Sequence, residues 1–197
     1  MLNLNSENVY IDSWIKTIIC KLKKQKSFGL INSLIAVILG SLLLIISSKI
    51  KIPLYPVPMT LQPLAVLLIG MLYGRNLATL TVGFYIFQGI LGLPVFANGG
   101  GLLYILGPTG GFIFGFFVAA IVLGELADRS WGKSYITSLI SMVIGLFLIY
   151  FFGIFQLSLI NGFDYAIVKG FLPFIVGDAY KMLLAGIIIP SIWKLAK

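Results

Sequence analysis

Six stretches of this chain, 28–48, 60–74, 76–91, 109–127, 135–158 and 171–193, consist almost wholly of apolar residues and follow one another through most of its 197 positions. A soluble fold of this size has too little interior to bury them all. A bilayer core of about 30 Å, by contrast, accepts helices of roughly 17 to 25 apolar residues, each pairing its backbone polar groups internally. The pattern predicts an all-α polytopic membrane protein with six transmembrane helices. Charged residues make up 10% of the chain, where a soluble domain carries about a quarter. The mean hydropathy of +1.07 agrees. The second and third stretches are short, which predicts tilt or ends covered by loops folding back into the membrane.

Charge orders the two sides. Lys16, Lys21, Lys23, Lys24, Lys26, Arg75, Arg129, Lys133, Lys194 and Lys197 fall on one side of these spans, and Lys49, Lys51 and Lys169 on the other. The positive-inside rule then predicts a multi-pass protein of the cell membrane with both termini in the cytoplasm. This asymmetry and anionic lipid account for the net charge of +8, so no nucleic-acid partner is expected. Residues 1–27 read as a cytoplasmic tail in which Tyr10, Ile11, Trp14, Ile15, Ile18, Ile19 and Leu22 recur at helical spacing, an amphipathic helix lying on the membrane surface. Residues 28–197 form the transmembrane domain.

Histidine is absent and Cys20 is the only cysteine. Ser/His and Cys/His nucleophilic pairs, His-ligated metal and an intramolecular disulfide are thereby excluded. Two ionised residues, Asp178 and Lys181, lie within the last apolar stretch, where each charge costs roughly 2.5 to 3.5 kcal/mol to insert. Three positions apart, they share a helix face and can compensate each other. With the helix beginning at the stretch's start, Asp178 is expected about 10 Å below its outer end. Glu125, beside Asp128 at the cytoplasmic end of its span, is the other acid at membrane depth. No catalytic or metal constellation forms, so the chain is not expected to be an enzyme.

Two outer loops converge on Asp178 in this topology. The first, 49–62, carries Pro53, Pro56 and Pro58, which predict a stiff, extended course able to act as a lid. The second, 92–111, is uncharged and rich in glycine, which predicts packing back into the bundle. Gly107, Gly111 and Gly115, and likewise Gly70 and Gly74, are spaced for close helix packing. Ala127-Asp-Arg-Ser-Trp-Gly-Lys-Ser134 loosely matches a phosphate-binding loop, but a short connection between two spans lacks the strand and helix that such a loop needs.

Three motifs, Pro53-Leu-Tyr-Pro-Val-Pro-Met-Thr-Leu-Gln62, Gly92-Leu-Pro-Val-Phe-Ala97 and Leu106-Gly-Pro-Thr-Gly-Gly-Phe-Ile-Phe-Gly-Phe116, precede the terminal Asp178-x-x-Lys181. In order and spacing they resemble BioY, the biotin-specific S components of energy-coupling-factor (ECF) transporters, over residues 38–197. The resemblance implies a six-helix S-component fold, biotin as the captured vitamin rather than a cofactor, and a membrane T component with two ATPases as partners. It places ureido binding on Asn98 and Asp178 and carboxylate binding on Lys181. It also implies docking to the T component near Ala36-x-x-x-Gly40. Phe96, Tyr104 and Tyr85 are candidate apolar walls. The alternative, a stand-alone secondary transporter of biotin or a related small carboxylate, would carry an inverted repeat and a coupling-ion site, neither of which the sequence displays.

Overall fold

The computed structural model describes residues 29–195, so the predicted tail helix lies outside the described residues. Its long helices are α1 (Leu30–Lys49), α2 (Gln62–Ile90), α4 (Gly110–Asp128), α5 (Tyr135–Asn161) and α7 (Ile175–Leu195), each long and apolar enough to cross a membrane. Two short helices, α3 (Leu102–Leu106) and α6 (Phe163–Gly170), join them.

Helix α2 is two antiparallel helices. Gly74, at φ 71° and ψ 174°, interrupts it. In a straight helix Gln62 and Tyr85, 23 positions apart, would lie about 35 Å from each other, yet Gln62 Nε2 donates to Tyr85 Oη at 2.6 Å. The halves 62–73 and 75–90 correspond to the predicted second and third spans, 60–74 and 76–91, but together they form one of five helices long and apolar enough to cross a membrane rather than two of six. Gly74 therefore forms the turn instead of a packing ladder with Gly70, because only glycine reaches this conformation without Cβ strain.

Helix α4 is the centre of the bundle, packing on α2 and α5, while α7 packs on α5 and α2. Lipid is as apolar as these side chains, so close approach through small residues holds the helices together. A Cβ on Gly111 would stand 2.3 Å from Phe152 O, and one on Gly115 would stand 2.8 Å from Ile149 Cα. Both glycines thus have the packing role expected of them, whereas Gly107 lies between α3 and α4.

Helix α1 touches α2 through Ala36 and Gly40. Tyr73 Oη donates to Ala36 O at 3.2 Å, and a Cβ on Gly40 would meet Thr81 Cγ2 at 2.6 Å. Gly40 thus packs within the chain, while Leu34, Ile38 and Leu42 of the same helix are exposed.

Opposite the Gly74 turn lies the pocket end. There β1 (Lys51–Ile52) pairs with β2 (Met59–Thr60) in register Lys51 with Thr60, so the first loop is a hairpin rather than a plain extended lid. Its proline-rich tip folds back far enough to bury Val57 and Pro58. At the far end Glu125 bridges Arg75 at 3.1 Å and Arg129 at 3.0 Å, while Asp128 accepts from the Arg75 backbone N–H. The loosely phosphate-loop-like segment there is the end of α4 followed by a 3-10 turn, Trp131–Lys133.

Candidate functional site

Helix α7 begins at Ile175 because 171–174 form a turn, so Asp178 sits in its first turn. It lies about 4.5 Å below the helix start, shallower than the expected 10 Å. Asp178 is 4% exposed, and two donors satisfy its carboxylate: Tyr150 Oη from α5 at 2.7 Å and Lys181 Nζ at 2.6 Å. Lys181 also donates to Thr60 O at 2.7 Å, tying α7 to the β hairpin. The expected ion pair is formed, with both charges hydrogen-bonded as burial demands.

Asp178 is on the wall of a narrow pocket with about 50 Å³ of free space. Both predicted loops reach it: Val57, Pro58 and Thr60 come from the first, Phe96, Ala97 and Tyr104 from the second. Gln62, Thr109, Phe112, Phe116, Tyr150 and Phe174 complete the polar and aromatic lining. Lys181 is behind this wall, its side chain 12% exposed and its ammonium beside Asp178. Asn98 is at the rim: it is exposed, and its Oδ1 accepts from Lys51 Nζ. Its neighbours Phe96 and Ala97 reach the cavity while the Asn98 side chain turns to the hairpin.

Aromatic rings shape one side. Phe96 stacks on Tyr104 with centroids 5.1 Å apart, and Tyr85 meets the Phe96 edge at 5.5 Å. Phe96 fits because Gly89 faces it; a Cβ there would fall 1.9 Å from Phe96 Cζ. Tyr85 is fully buried and serves as a support, accepting from Gln62 and donating to Val95 O at 3.2 Å. Among the described residues no group of three or more acidic or cysteine side chains is arranged to hold a metal.

Residues 20–197 match the BioY family. The chain belongs to the BioY family. It is 41% identical over 155 residues to "Biotin transporter BioY" of Thermotoga maritima, covering 78% of this chain and 90% of that one. A second BioY protein, from Rhizobium etli, is 32% identical over 148 residues, covering 71% of this chain and 79% of that one. The solved structure of an "S-component for biotin from an ECF-type ABC transporter" superposes with a TM-score of 0.75 at 25% identity, covering 85% of this chain and 95% of that chain. The helical bundle of this BioY family member is therefore the S-component fold.

Polar pocket residues that the sequence did not single out include Tyr150 and Gln62. Tyr150 is one of nine tyrosines, and its one signal was a hydroxyl in an apolar helix. Gln62 closed the first motif and read as the end of a loop. Its burial becomes apparent only once the Gly74 turn returns Tyr85 to its side.

Proposed function

We propose that the chain is a biotin-capturing S component, taking the vitamin from the outer side of the cell membrane and releasing it inward when a T component and two ATPases drive it. The observation that carries this reading is the buried Asp178–Lys181 pair at an otherwise largely apolar pocket, in a chain 41% identical to a biotin transporter. Biotin has a carboxylate at one end, a cyclic urea at the other and an apolar ring and chain between. Asp178 accepts a urea N–H, Lys181 supplies the cation for the carboxylate, and Asn98 both donates and accepts at the rim.

The two ends of biotin lie far apart, whereas the two charges touch, so the pair must open when the ligand enters. Lys181, on a flexible four-carbon stem, swings to the carboxylate. Asp178, held by Tyr150, stays for the urea. The ligand's negative charge then replaces the one Lys181 leaves, and the buried site never holds an unpaired cation.

Orientation follows from the basic residues. Arg75, Arg129, Lys133 and Lys194 mark the far end as cytoplasmic, and the pocket end faces outward. Reconstitution into liposomes tests the role: ATP-dependent biotin accumulation should require the T component and ATPases. Accumulation by this chain alone would overturn it.

A further inference from the structure

The segment 94–98 forms one wall of the pocket through Phe96 and Ala97, and an unusual set of bonds holds it. Lys49 Nζ donates to Pro94 O and Phe96 O, each at 2.6 Å. Lys51 Nζ donates to Ala97 O at 2.5 Å and to Asn98 Oδ1. Val95, between them, is held differently: Ser48 Oγ, at 2.8 Å, and Tyr85 Oη both donate to its carbonyl from buried positions. One carbonyl is thus pinned inside the bundle. Its neighbours are held by two exposed ammonium groups.

Glycines bracket this segment. Gly92, Gly99 and Gly101 have φ of 92°, 143° and 98°, and a Cβ on any of them would meet no atom within 4 Å. Packing does not require glycine at these positions; the backbone conformation does. Such positions are where a short segment can turn without disturbing the helices.

We propose that Lys49 and Lys51 are positioning residues that latch 96–98 over the pocket, with Val95 as the fixed point, and that release of this latch sets how fast the ligand enters and leaves. The ligand's identity as biotin rests on the reading above. The ammonium-to-carbonyl bonds must break before 96–98 can swing off the pocket, whichever way the ligand is moving. Their loss therefore lowers the barrier in both directions. Lys51 also holds Asn98 at the rim, so the same release frees that side chain.

The test compares the parent with Lys49→Met/Lys51→Met, and with Lys169→Met as a control for lost charge at the same end. Hydrogen exchange of 93–101 in the ligand-free protein should quicken in the double variant alone. Stopped-flow association and dissociation of biotin should both accelerate by roughly tenfold or more, the scale of losing charge-assisted bonds. Unchanged exchange would overturn the proposal. So would weaker equilibrium binding with an unaltered association rate, which would make the lysines mere supports of the wall. Absence of biotin binding by the parent would contradict the biotin reading, and the exchange measurement would still decide the latch.

Discussion

Tyr150 donates its hydroxyl to Asp178 across 2.7 Å, joining the middle of α5 to the first turn of α7 at the pocket wall. The contact orients the carboxylate and leaves its other oxygen to Lys181. Tyr150→Phe removes the donor and little else. Loss of a hydrogen bond to a buried charge costs about 1.5 to 3 kcal/mol, so biotin affinity should fall about tenfold or more, with a lower melting temperature. Binding titration and thermal unfolding check both; an unchanged affinity would show that Tyr150 does not position Asp178.

Asp178→Ala should be worse for the empty protein than loss of both charges. The single variant strands Lys181 at 12% exposure, and breaking a buried pair costs about 3 to 5 kcal/mol where removing both partners is far cheaper. Thermal unfolding should rank parent, then Asp178→Ala/Lys181→Met, then Asp178→Ala. A double variant less stable than the single one would contradict the coupling.

Gly111→Ala drives a methyl to 2.3 Å from Phe152 O, a backbone atom that cannot yield without moving α5. Gly83→Ala meets only Phe117 Cε2 at 3.3 Å. Overpacking costs about 1 to 3 kcal/mol, so the first should lose several degrees of thermal stability and the second far less. Equal losses would remove close α4–α5 approach as the reason for glycine at 111.

Asn98→Ala should weaken biotin binding while leaving the unliganded protein's melting temperature nearly unchanged, because the side chain is exposed and its hydrogen bond is to the exposed Lys51. Binding equal to the parent's would place Asn98 outside the site.

Much of this arrangement was legible in the residues themselves. Apolar runs marked the membrane helices, and the break between 74 and 76 sits where Gly74 turns the chain. The spacing of Asp178 and Lys181 foretold their ion pair. What stayed hidden depends on contacts between distant positions. Lys49 and Lys51 read as topology signals, yet their ammonium groups bind a loop more than forty positions away. Gly40 read as part of a docking face, yet Tyr73 and Thr81 pack against it from within the chain. The depth of Asp178 was misjudged because 171–174 are as apolar as the helix that follows, and periodicity cannot separate an apolar turn from an apolar helix.

The most direct test of the central claim is equilibrium binding of biotin and of its carboxamide to the purified parent and to Lys181→Met. The ammonium-to-carboxylate bond exists only for biotin and carries about 1.5 to 3 kcal/mol. The parent should therefore bind biotin tightly and the carboxamide more weakly, and Lys181→Met should lose affinity for biotin by roughly tenfold or more with little change for the carboxamide. Equal losses for both ligands would make Lys181 a structural partner of Asp178, and failure of the parent to bind biotin would contradict the account as a whole.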